Sequence, residues 1–221
     1  MSGMLPRMST SLTRIRMGAV ALAVAGVLFV LYPAVRPWED ESTADGARAA
    51  MSSGAWVASH LFAMLGFILV PLGLLAVRAV VARTTTEPVV AAAVVTSWIG
   101  AGLTLPYYGA EDFGLHAIAK KAAEGQPLDL LALVDAFRFN PVAATMFAVG
   151  LVLLGIGAIL AAIAIWRSGV LPRYSGIPFA LGLALFVPQF YTPPAVRIAH
   201  GVLLAAGSIW VALVLWRSET R

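Results

Sequence analysis

No cysteine occurs in the 221 residues. Disulfides and thiolate metal centres are therefore excluded, and the redox compartment cannot be read. Charge is scarce as well: 12% of residues are charged, against about 25% in a soluble domain. Lysine and asparagine are few while Ala, Val, Gly and Arg abound, a composition that suggests a GC-rich bacterial genome. Internal repeats and low-complexity segments are missing, and so are nucleotide-binding loops, nucleophile elbows and kinase signatures. The sequence pI near 9.9 invites a nucleic-acid reading. The basic residues are scattered singly between apolar runs and form no patch, so no nucleic-acid partner is expected.

What the chain does contain is apolar length. It is 60% hydrophobic, with a mean hydropathy of +0.88. A helix crossing ~30 Å of hydrocarbon needs roughly 20 mainly apolar residues. Six segments meet this requirement, at about 17–35, 55–77, 89–110, 141–166, 174–191 and 195–216. The expected fold is all-α: a polytopic bundle of six transmembrane helices forming one integral membrane domain over 1–221. The first segment resembles a signal peptide, but its apolar core is long and no small-x-small site follows, so it is expected to remain as an anchor. The fifth is the shortest and holds Pro178 and Pro188, which predicts a kink or tilt. Residues 127–139, PLDLLALVDAFRF, are too apolar for a solvated loop and too short to span. They predict an amphipathic helix that lies on the outer membrane surface or caps the bundle.

Lys and Arg set the orientation. With the N-terminus inside, the inner segments hold Arg7, Arg14, Arg16, Arg78, Arg83, Arg167, Arg173, Arg217 and Arg221 against two acids, Glu87 and Glu219. The other nine acids lie outside. Both termini are therefore expected in the cytoplasm of a bacterial cell, with loops 36–54 and 111–140 facing outward. Span glycines such as Gly100, Gly102, Gly150, Gly157, Gly182 and Gly207 are expected to allow close helix packing.

Ionisable groups inside spans are costly and mark functional sites. In this orientation they share one depth, the outer leaflet. His60 lies a turn into span 2. The stretch YYGAEDFGLH places Tyr107, Tyr108, Glu111 and Asp112 at the end of span 3, with His116 beyond. Gln189 and Tyr191 end span 5, and Arg197 and His200 begin span 6. The short turn at residues 192–194 makes spans 5 and 6 antiparallel neighbours. Beneath this level lie aromatic and aliphatic residues including Trp98, Phe147 and Phe190. A polar mouth over an apolar floor is the usual form of a small-molecule pocket.

Glu111 or Asp112 is the expected proton donor, with His200 the third candidate catalytic residue. Tyr107, Tyr108, Trp98, His60, Gln189, Phe190 and Arg197 are the candidate substrate-binding residues. A direct contact between Arg197 and one of the two acids is expected. Each residue also has a purely structural account. The acids can face water at a helix end, Arg197 can lock two helices together, and the histidines can bond to neighbouring helices. No metal or cofactor is assigned. The only ligand-like spacing is Asp112/His116, and Gly114 weakens the helix that would present it. A haem between His60 and His200 is the remaining metal alternative.

Three stretches carry a resemblance: GAEDFGLHAI (109–118), WRSGVLPR (166–173) and PPAVRIAHGVLLA (193–205). Over about residues 100–217 the chain resembles a family of uncharacterised six-span membrane proteins of high-GC bacteria. In character, though not by motif, it is similar to small integral-membrane terpene cyclases. That similarity implies a carboxylate acid acting on a lipid-soluble isoprenoid, with membrane lipid and an apolar small molecule as partners. The alternatives are a ligand-binding or proton-coupled transport protein, a His-ligated metal or haem protein, and a partner subunit docking through 111–140.

Overall fold

Residues 5–218 are described in a computed structural model of the chain, with side chains from residue 12 onward. The chain runs α1 (Leu5–Val35), α2 (Ala44–Met51), α3 (Gly54–Val80) and α4 (Glu87–Gly109). A π-helical turn (Ala110–Leu115) leads into α5 (His116–Ala123), α6 (Leu130–Arg138) and α7 (Pro141–Ser168). Last come α8 (Ile177–Ala184), α9 (Phe186–Gln189) and α10 (Pro194–Ser218). No strand occurs among the described residues.

Side chains cap the first turns of α2, α3, α6 and α7. Thr43 accepts from the Gly46 N–H, Ser53 from Trp56, Asp129 from Ala132, and Asn140 from both Val142 and Ala143. Each satisfies a donor that the first helical turn leaves open. Gly169, at φ 70°, closes α7 in the left-handed conformation that glycine adopts freely.

Five helical stretches are long and apolar enough to cross a membrane: Leu12–Val35, Gly54–Val80, Glu87–Ala123, Pro141–Ser168 and Pro194–Ser218. The expected fifth span instead folds as α8 and the single turn α9. Eight residues of helix rise only ~12 Å. The break has a cause: the Pro188 ring would collide with the carbonyl four residues earlier, at Ala184, where α8 ends. The third long helix continues past residue 110, through the π turn to Ala123.

Neighbouring helices close a ring in the order α1, α3, α4, α7, α8, α10 and back to α1. Small residues make the ring tight. A Cβ on Gly100 would stand 2.7 Å from the Gly150 carbonyl oxygen, which couples α4 to α7. A Cβ on Gly207 would stand 2.6 Å from the Phe179 Cα, which couples α10 to α8. Gly102 faces open space, contrary to expectation.

Aromatic rings fill the centre. Phe29 meets Phe67 at 5.2 Å between centroids, Phe67 meets Phe186 at 5.1 Å and Tyr108 at 5.6 Å, and Tyr108 meets Phe147 at 5.6 Å. At one end of the ring, α2, α5 and α6 form a cap with its own small core. It contains Met51, Trp56, Leu115, Ala119, Leu130 and Val134. The two long segments read as outward loops, 36–54 and 111–140, thus carry the helices of this cap.

Candidate functional site

Beneath the cap lies a cavity of about 420 Å³. Tyr32 and Arg36 at the end of α1, His60 on α3, and Tyr107 and Tyr108 on α4 contribute to its wall. So do Trp38, Glu39 and Glu41 from the following loop, Glu111 of the π turn, and Arg138, Phe147, Phe190 and Arg197.

One side of the wall is a closed circuit of hydrogen bonds. His60 Nδ1 lies 2.8 Å from the Trp56 carbonyl, and its Nε2 lies 3.2 Å from Arg36 Nη1. A carbonyl only accepts and a guanidinium only donates, so both contacts are met by the neutral imidazole with its proton on Nδ1. Arg36 also donates to Glu41. Arg138 Nη2 donates to Glu41 at 2.9 Å and to Glu111 Oε2 at 3.0 Å, while its Nε donates to Glu111 Oε1 at 2.7 Å. The Trp56 indole N–H then returns to the Glu111 carbonyl at 2.8 Å, closing the loop. Burial alone would push the Arg138 guanidinium down. The hydrogen bonds and charges of Glu111 and Glu41 outweigh it and hold the group above its ordinary value.

The opposite side is simpler. Arg197 Nε donates to Gln189 Oε1 at 3.0 Å, and its Nη2 lies 3.4 Å from the Tyr32 hydroxyl. Tyr108 donates to that same hydroxyl at 3.3 Å. The Arg197 guanidinium carbon lies 4.8 Å from the Trp38 ring centre and 5.3 Å from that of Phe190.

Six candidates from the sequence therefore share this cavity: His60, Tyr107, Tyr108, Glu111, Phe190 and Arg197. Gln189 is buried beside it and holds Arg197. Three candidates lie elsewhere. Trp98 is 57% exposed on the outside of α4. His200 gives its Nε2 to the Gly182 carbonyl at 2.7 Å and ties α10 to α8. Asp112 is fully buried, but outside the cavity wall, and neither carboxylate oxygen has a hydrogen-bond partner among the described residues. His116 bonds the Met51 carbonyl at 2.7 Å and fastens α5 to α2.

The expected contact of Arg197 with Glu111 or Asp112 is not formed. Arg138, the last residue of α6, takes Glu111 instead, and α6 is held against α2, α5 and α7 in the cap. A π turn inserts an extra residue into a helix and is frequent at functional sites. Here it sets Glu111 in the wall and Asp112 in the interior.

Sequence reasoning misses Tyr32, Trp38 and Glu41 and gives Arg36 and Arg138 no part in the site. A signal does exist for the two arginines. Both lie in segments assigned outside, where the charge rule depletes basic residues. Among the described residues, no group of three or more His, Asp or Glu converges to hold a metal ion. Comparison of the chain with protein-family models, curated proteins and solved structures gives no match.

Proposed function

We propose that the chain is a multi-pass protein of the bacterial cell membrane whose cavity binds a lipid-soluble small molecule from the outer leaflet. In this reading both termini are cytoplasmic and the α8–α9 segment fills the place of a sixth span. The helix α6 is the amphipathic element on the outer surface. The cavity itself carries the proposal: a polar rim, fixed by the Trp56–Glu111 circuit, stands over a floor that includes Tyr108, Phe147 and Phe190. Its volume falls within the usual range for a small ligand. The orientation rests on the excess of basic residues in the segments assigned inside.

Native mass spectrometry of the detergent-purified chain tests the proposal. One class of apolar or amphiphilic molecule should remain bound, and Phe190→Trp, which fills the floor, should lose it. An empty cavity in the unaltered protein after extraction in several mild detergents would refute it.

An enzyme acting on an isoprenoid by carboxylate acid catalysis, as the similarity to membrane terpene cyclases implies, is the second reading. Asp112 supports it, as a buried carboxyl group with both oxygens unpartnered. The two-pronged grip of Arg138 on Glu111 favours a positioning role for Glu111 over proton donation.

A further inference from the structure

The cavity wall contains three guanidinium groups and three carboxylates, but they do not cancel in the same way. Glu41 is shared by Arg36 and Arg138, and Glu111 is gripped by Arg138. Glu39, the third acid, is exposed and enters no ion pair among the described residues. Among the described residues Arg197 has neutral hydrogen-bond partners only, the Gln189 amide oxygen and the Tyr32 hydroxyl.

The surroundings of Arg197 add donors rather than acceptors. Gln189 turns its oxygen to Arg197, and its Nε2 is then buried with no acceptor among the described residues. Flipping the amide would set N–H against N–H, so this shortage cannot be relieved within the pair. The Tyr32 hydroxyl receives from both Tyr108 and Arg197, which leaves its own hydrogen to give. The aromatic rings of Trp38 and Phe190 limit hydration of the guanidinium and offer no oxygen. A cation in a donor-rich, partly buried corner is completed by an anion with several acceptor oxygens.

We infer that the cavity takes an anionic amphiphile, with Arg197 receiving a phosphate or carboxylate head and Tyr108, Phe147 and Phe190 receiving the start of its apolar chain. This rests on the proposed small-molecule pocket and adds the charge class of its ligand. Gln189 and Tyr32 are positioning residues, because they hold the guanidinium by neutral groups and leave its charge available.

Three probes test this on the full chain in a neutral detergent: dioctanoyl phosphatidic acid, uncharged 1-octanoylglycerol, and inorganic phosphate. Binding is read by titration and by the rise in melting temperature. The phosphatidic acid should bind saturably, and Arg197→Gln should weaken it roughly tenfold or more, the usual scale for a lost charge-assisted hydrogen bond. Gln189→Glu supplies Arg197 with the carboxylate it lacks. It should weaken the same probe comparably while leaving the unliganded melting temperature equal or higher, which separates loss of binding from loss of fold. Phosphate binding alone with the same Arg197 dependence would support the anion class and assign it to a free anion. Equal binding of the glycerol ester and the phosphatidic acid, unaffected by either variant, would overturn the inference and leave the pocket reading standing. No saturable binding by any probe would also overturn the inference, and the native mass spectra then decide the pocket reading by themselves.

Discussion

Removing Arg138 should be the most damaging single change at the mouth of the cavity. Its side chain is 23% exposed, and its partners Glu111 and Glu41 are 9% and 18% exposed. All three are too buried for the small values of surface ion pairs. Arg138→Ala deletes both hydrogen bonds to the Glu111 carboxylate, whereas Glu41 keeps Arg36. The cost therefore falls mainly on Glu111, a charge stranded in a poorly hydrated site. A fully buried stranded charge costs about 3–5 kcal/mol. Water reaching the remaining exposure of Arg138 reduces this, and about 2–4 kcal/mol is expected.

Adding Glu111→Gln removes the stranded charge, so the double mutant should recover much of the loss, with a coupling of about 2 kcal/mol. The Arg197→Ala and Glu111→Gln pair has no such contact and should be additive within ~0.5 kcal/mol. Equilibrium unfolding in mixed micelles, with both cycles run side by side, measures these quantities. A cost below about 1 kcal/mol for Arg138→Ala, or additivity in the Arg138 cycle, would refute the assignment of the pair.

Ring closure by α8 predicts that Gly207→Ala costs about 1–3 kcal/mol by overpacking against Phe179. Gly102→Ala, which meets no neighbour, should be neutral or up to ~1 kcal/mol stabilising in the same melting assay. Asp112→Asn should leave stability unchanged or raised, because it deletes no hydrogen bond and removes any cost of burying charge. A drop of more than about 1 kcal/mol would reveal a partner for that carboxylate. Single cysteines at Gln126 and Thr85, both exposed, report orientation cleanly in a chain with no cysteine of its own. A membrane-impermeant maleimide applied to intact cells should label position 126 and spare position 85, and the reverse pattern would invert the topology.

Local properties are legible in the order of residues alone. Apolar length marks six stretches, of which five form helices long enough to span and 174–191 does not, and Asn140 ahead of Pro141 marks the start of α7. The prolines of 174–191 mark the irregular segment, and the short turn after α9 puts Gln189 beside Arg197. Each depends on neighbours a few residues apart, where capping, proline sterics and hydropathy act. The clustering of polar groups at one depth likewise follows from counting residues along apolar helices. Six of the ten candidates line the cavity, and Trp98, His200 and Asp112, counted to the same region, do not.

Helix rotation and partner choice are not legible in this way. A membrane helix is apolar toward lipid and toward the core alike, so hydropathy does not orient it. Trp98 therefore reads as floor yet faces outward, and His200 reads as wall yet binds the Gly182 carbonyl. Which arginine meets which acid is decided by the cap. Arg138 lies 27 residues from Glu111 and 97 from Glu41, and only the packing of α6 against α2, α5 and α7 in the cap brings the three together. Once Arg138 has taken Glu111, Arg197 keeps its charge without a carboxylate to neutralise it. Counting along the sequence assigns these groups to one level. Tertiary packing pairs some of them and leaves Arg197 without an acid, because an ion pair is set by distances in space of a few ångströms, which separation along the chain does not encode.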